Sequence, residues 1–135
     1  INLSSLNAFL HPIQSENKEV VVSQRFVENG KVMPFVIRPL TQEENEELIK
    51  KHTKKDKKGN EVFDRIAYSQ AMTAAAVVEP DLASAELQKS VGVLGEDKTL
   101  AKLLYIGEFA LLTQEVQKLS GLDEDINDEI EEAKN

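Results

Sequence analysis

The 135-residue chain has no cysteine and no tryptophan, its aromatic residues amount to 5%, and only 16 Lys and Arg stand against 24 Asp and Glu. Without cysteine there is no disulfide framework, no thiolate nucleophile and no zinc site built on sulfur. The shortage of positive charge leaves a formal net charge of -8. Phosphate neutralisation needs a clustered positive surface, so no nucleic-acid partner is expected. Long apolar runs are missing too. Nothing approaches the roughly 20 residues that cross a bilayer, and the first thirty residues lack the basic-then-apolar layout of a signal peptide. The expectation is a soluble, cytoplasmic chain with no membrane contact.

What is present is enough apolar material for a core. Leu, Ile, Val and Phe make up 40 of the 135 residues, well above the level at which charged chains fail to collapse. A chain of this length buries about two-thirds of its unfolded surface. A single domain over residues 1–135 is expected.

Three stretches organise it. Residues 1–18 form an N-terminal segment in which Leu3, Leu6, Phe9 and Leu10 suggest one or two helical turns docked on a core, followed by a linker near Pro12. Residues 20–39 alternate with period two about Asn29-Gly30, the dipeptide that supplies the two positive φ angles of a tight hairpin turn. That turn sets a register in which Phe26 faces Met33, Gln24 faces Phe35, Val22 faces Ile37 and Val20 faces Pro39, all on one nearly apolar side. Arg25, Ser23 and Arg38 fall on the other, mixed side with Val21, Val27, Val32 and Val36. Pro34 has no N–H to donate, which marks an edge or a bulge.

Residues 41–135 read as a helical region. Thr41-Gln42-Glu43-Glu44 is a capping box, and the helix it opens has its acids first and Lys50, Lys51 and His52 last, the order that complements the helix dipole. The stretch Lys54 to Asn60 reads as an exposed loop. Ile66 to Val78 carries no charge and predicts a central helix buried on several faces. Ser84 caps a short helix that stops at Gly92, and Glu96-Asp97 opens another. Phe109, Leu112, Val116 and Leu119 then line one face of a longer helix that ends at Gly121-Leu122. The end is acidic, with seven acids between Asp123 and Glu132, yet Ile126, Ile130 and Ala133 keep helical spacing. The expected architecture is α+β: an N-terminal β-hairpin packed on a mostly α-helical body of four to six helices, with an acidic C-terminal helix.

No catalytic constellation stands out. His11 and His52 have no Ser, Thr or acid visibly paired with them and read as surface histidines. Asp123, Asp125 and Asn127 imitate the start of a calcium loop, but Asp128 stands where Gly is needed and Lys134 where Glu is needed. Gly92 and Gly95 lack the Gly-Lys-Ser/Thr that a phosphate loop requires. The six lysines between Lys50 and Lys58 lack interleaved aromatics and read as a solvated loop. No metal, no cofactor and no enzymatic activity are expected. The acidic end is different, because Ile126 and Ile130 within a carboxylate field suit docking on a basic, apolar helix of another protein.

In order and wording the chain resembles the XkdN-type tail assembly chaperones of tailed phages and phage-derived elements. The resemblance rests on Ser4-Ser5-Leu6-Asn7-Ala8-Phe9-Leu10, Ser23-Gln24-Arg25-Phe26, Gly30-Lys31, Ile37-Arg38 and Thr41-Gln42-Glu43-Glu44-Asn45-Glu46. It continues through Glu86-Leu87-Gln88-Lys89-Ser90-Val91-Gly92-Val93-Leu94-Gly95 and the closing Glu131-Glu132-Ala133-Lys134-Asn135. At Leu103-Leu104-Tyr105-Ile106-Gly107-Glu108, relatives carry a Pro-Gly-Glu turn, and Ile106 departs from it.

The resemblance implies a non-enzymatic role in long-tailed phage morphogenesis. The implied partner is the tape measure protein, kept soluble until the tail tube polymerises. A second is the tail tube protein, reached through a frameshifted extension. The implied location is the bacterial host cytoplasm, with the protein absent from the mature virion, and the chain may not be excluded from forming a homo-oligomer. The expected contact residues are Phe109, Leu112, Ile126 and Ile130, as apolar ridges offered to a partner helix. A structural tail component retained in the virion is the alternative, and a small acid/base enzyme, disfavoured by the unpaired histidines, is the third reading.

Overall fold

A computed structural model describes residues 3–122. Six helices and seven short strands follow one another among them. In chain order they are α1 (Leu3–Leu10), β1 (Lys18–Val20), β2 (Val27–Glu28), β3 (Lys31–Val32), β4 (Phe35–Ile37) and α2 (Gln42–Lys51). Next come β5 (Thr53–Lys55), β6 (Glu61–Phe63), α3 (Arg65–Ala76) and β7 (Val77–Glu79). The last are α4 (Ala85–Val91), α5 (Glu96–Leu103) and α6 (Ile106–Leu119). The class is α+β, as the sequence predicts. The expected acidic C-terminal helix, with Ile126 and Ile130, and the Asp123-Asp125-Asn127 series lie outside the described residues.

The hairpin tip forms as expected. Asn29 and Gly30 take φ values of 53° and 77°, Val27 pairs with Val32 and Glu28 with Lys31, and the Met33 amide donates to the Phe26 carbonyl at 2.7 Å. Below the tip the register differs from the expectation: Val20 lies opposite Phe35 and Lys18 opposite Ile37. Four residues of the first arm loop out between Val20 and Val27, and Met33-Pro34 form the short bridge across from them. A slip of four is even, so side chains keep their faces. Val20, Val22, Phe35 and Ile37 are therefore all buried although their partners have changed.

β4 is the middle strand of an antiparallel sheet ordered β1-β4-β7. The third strand corrects the reading of Ile66 to Val78 as one helix. α3 ends at Ala76, whose carbonyl accepts from the Arg38 amide at 2.8 Å, and Val77–Glu79 continues as a strand along β4. Pro80 disfavours helical backbone at Glu79, Val77 and Val78 are β-branched, and β4 offers open backbone groups to pair with.

A second correction concerns Lys54 to Asn60. It is the turn of a small hairpin in which Thr53 pairs with Phe63 and Lys55 with Glu61, closed by Asp56, whose carboxylate accepts from the amides of Lys58 and Asn60, both at 2.9 Å. α1 is helical as expected but is not docked: residues 6–19 are exposed.

The core lies between the sheet and α3, α5 and α6. Ile37, Ala76, Leu100, Leu112 and Val116 are fully enclosed, with Phe35, Met72, Leu82 and Leu104 around them. Its two enclosed hydroxyls are satisfied. Thr73 reaches the Ser69 carbonyl and Thr113 Oγ1, both at 2.9 Å, and Thr99 donates to the Gly95 carbonyl at 2.7 Å. No described helix is long and apolar enough to cross a membrane.

Candidate partner-binding surface

The break between α5 and α6 presents the most concentrated exposed apolar surface beside an ordered polar anchor. Leu104 turns inward and is buried, Tyr105 and Ile106 turn outward, and Ile106 is 92% exposed. Behind them lies an open groove of about 330 Å3 lined by Gln70 of α3, Ala101, Leu104, Phe109 and Ala110. Ile66, also exposed, stands one helical turn before Gln70 on α3. Apolar walls and an exposed aromatic at the rim give the groove the composition of a surface that accepts a helix by its apolar stripe.

The start of α6 is held by side chains. Glu108 folds back so that its Oε1 accepts from the Tyr105 amide at 2.7 Å, capping the helix. This explains how α6 begins at Ile106 without the proline found in relatives. Proline at the first helical position contributes a preset φ, and here the Glu108 cap holds the same turn.

Glu108 is in turn gripped by Arg25 from the looped-out arm. Nε donates to Oε2 at 2.8 Å and Nη2 to Oε1 at 2.5 Å, while Nη2 also reaches the Leu103 carbonyl at 3.0 Å. The guanidinium carbon lies 3.9 Å from the centre of the Tyr105 ring and 4.9 Å from that of Phe26. The Arg25 hydrogen bonds hold the Glu108 carboxyl down at about 2, against the opposing effect of burial and with help from Ser23 and the Tyr105 amide. Glu108 is thus a charged group enclosed for positioning, and Tyr105 is fixed between a capped backbone and a cation.

Two further ion pairs tie the elements around this face. Lys18 of β1 reaches Glu115 of α6 at 2.6 Å. Arg38 holds Glu44 at 2.6 Å, and Glu44 completes the capping box with the Thr41 amide and hydroxyl, so that its carboxyl also sits at about 2.

The residues singled out from sequence separate here. Leu112 is fully enclosed in the core, and Phe109 is half-buried with one side on the core and the other lining the groove. Ile126 and Ile130 lie outside the described residues. His52 ends α2 with its Nδ1 2.8 Å from the Leu48 carbonyl, and His11 is exposed. Sequence reasoning passed over Tyr105 and Ile106. The signal was the unbroken apolar run Leu103-Leu104-Tyr105-Ile106 across a helix break, which is more than one face can bury. Arg25 and Glu108, 83 residues apart, left no signal of their pairing.

Comparison with known proteins places the chain. The phage-like element PBSX protein XkdN of Bacillus subtilis (strain 168) is 29% identical over 142 residues, covering 99% of this chain and 96% of that protein. The uncharacterized protein YqbN of the same organism is 30% identical over 129 residues, covering 91% of this chain and 87% of YqbN. The crystal structure of the protein YqbN shares the fold, with a TM-score of 0.72 at 24% identity, over 86% of this chain and 96% of that one. The profile of the phage XkdN-like tail assembly chaperones matches residues 6–134, and the chain belongs to that family.

Proposed function

We propose that this chain works by non-covalent coating: it binds an apolar helical stripe of the tape measure protein, keeps that protein soluble, and leaves before the tail is complete. The observation that carries the reading is the pair Tyr105 and Ile106, exposed side by side at the rim of an apolar groove and held there by the Arg25–Glu108 clamp. An exposed apolar patch on a rigid mount is characteristic of a surface meant for another polypeptide. A net charge of -8 suits the solubilising half of the task, since it keeps a coated complex from self-association. Phe109 contributes from the groove wall. Binding would take place in the host cytoplasm and need no catalysis. A frameshifted extension, where one is made, would recruit the tail tube protein separately.

The test is co-expression with the tape measure protein encoded in the same phage or prophage, followed by affinity capture. Wild type should retain it in the soluble fraction and Ile106→Asp should release it. A tape measure protein that stays insoluble beside folded wild-type chain, or is retained equally by Ile106→Asp, overturns this surface as the contact.

A further inference from the structure

A second groove lies at the far end of α6. It has a volume of about 170 Å3, and its walls include Leu40, Tyr68, Met72, Val116, Gln117 and Leu122. Not one residue lining it is charged, in a chain of which 30% is Asp, Glu, Lys or Arg. One other described element has the same character. α1, Leu3–Leu10, carries no charge, and its Leu6, Phe9 and Leu10 share a face and are exposed, Phe9 by 81%. Ile13 follows, fully exposed, just past Pro12. A helix of eight residues standing alone in water is marginal, so α1 draws its stability from a surface it packs on.

We propose that α1 of one molecule seats in the α2–α3–α6 groove of a second copy. Donor helix and open acceptor are present together in the same conformation, so exchange between two molecules satisfies both without rearranging either. Their matching lack of charge is the complementarity: an ion on either side would be stranded in an apolar contact. Residues 11–17 supply a tether of seven exposed residues that spans up to about 23 Å when extended. It leaves β1 beside Ile37, from which β4 runs on to Leu40 at the groove wall. If each helix covers roughly 500 Å2 of its own apolar surface and a similar area of groove, reciprocal exchange about a two-fold axis buries about 2,000 Å2, the size of a stable specific interface.

The absence of native cysteine makes a clean experiment. Asn7→Cys, on the flank of α1, and Gln42→Cys, at the groove rim, are made in separate chains, mixed and mildly oxidised. A disulfide-linked heterodimer is expected, reduced at least tenfold in yield when the first chain also carries Phe9→Asp. Sedimentation should show a concentration-dependent dimer for wild type and a monomer for Phe9→Asp, with an unchanged circular dichroism spectrum. A chain carrying both cysteines that cross-links only within itself, or a wild type that is monomeric at every concentration, overturns the proposal. No tape measure protein is present in these measurements, so their failure is separate from failure of the coating function.

Discussion

Arg25 and Glu108 share a two-toothed ion pair in which the acid is the enclosed partner, 8% exposed, and the base lies at the surface. The two ends of the pair are therefore unequal. Arg25→Met strands a carboxylate with little access to water, whereas Glu108→Gln leaves a guanidinium that water can reach. Arg25→Met should lower the urea midpoint more than Glu108→Gln, and the double variant should be more stable than Arg25→Met alone. Equal midpoints for the two single variants would contradict the arrangement.

Acid should undo the same contacts. Glu108 and Glu44 sit at about 2 in the folded chain against an ordinary 4.5, and Glu115 is lowered by Lys18. Because the folded form holds these protons less readily than the unfolded one, the stability they contribute is complete above about pH 5 and is lost as the pH falls toward 2. Urea unfolding at pH 7, 4 and 3 should show midpoints falling in that order, with a shallower fall for the Arg38→Met, Glu44→Gln double variant.

Substitutions along α6 should split by depth. Leu112→Ala opens a cavity in a fully enclosed site and should cost about 2–5 kcal/mol of stability. Ile106→Asp lies almost wholly in solvent and should stay within about 0.5 kcal/mol of wild type. Denaturant curves on both decide whether a loss of partner capture reflects a lost contact or a lost fold.

Gly92 ends α4 at φ 78° with nothing within 4 Å of where a Cβ would stand. Gly92→Ala meets no clash and feels the left-handed backbone alone, so it should cost about 1 kcal/mol. Thr41→Ala, which removes the hydroxyl that caps α2, should cost a similar amount, about 1 kcal/mol. Thermal unfolding measures both.

Purified virions provide a check on timing. A chaperone that leaves before assembly is complete should be absent from their mass-spectrometric inventory, and stoichiometric recovery would favour a retained tail component.

Local chemistry was legible because it is written in neighbouring residues. Asn29-Gly30, the Thr41 box, Ser84 with Gly92, and Gly121-Leu122 each carry their own geometry within a few positions, and all four formed where read. The face of the hairpin was legible for a weaker reason: the four-residue slip preserved parity, so Val20, Val22, Phe35 and Ile37 were assigned to the inside from wrong partners. Distant pairings were not legible. β7 exists because β4 has a side to fill, α1 stands off the body although its apolar residues read as docked, and the Arg25–Glu108 clamp depends on a loop that the uninterrupted register left no room for. At the candidate surface, helical periodicity located Phe109 and could not separate core from rim.

α2 has consequences for how the molecule comes apart. It buries no residue and is held by its cap, by Arg38 and by the Tyr68–Asn45 hydrogen bond. Its amide protons should exchange with solvent well before those of α3 or α6, and trypsin should first nick the lysines that follow it while both fragments stay associated through the sheet. The arm can thus loosen, or be cut, without releasing the strands and helices on either side.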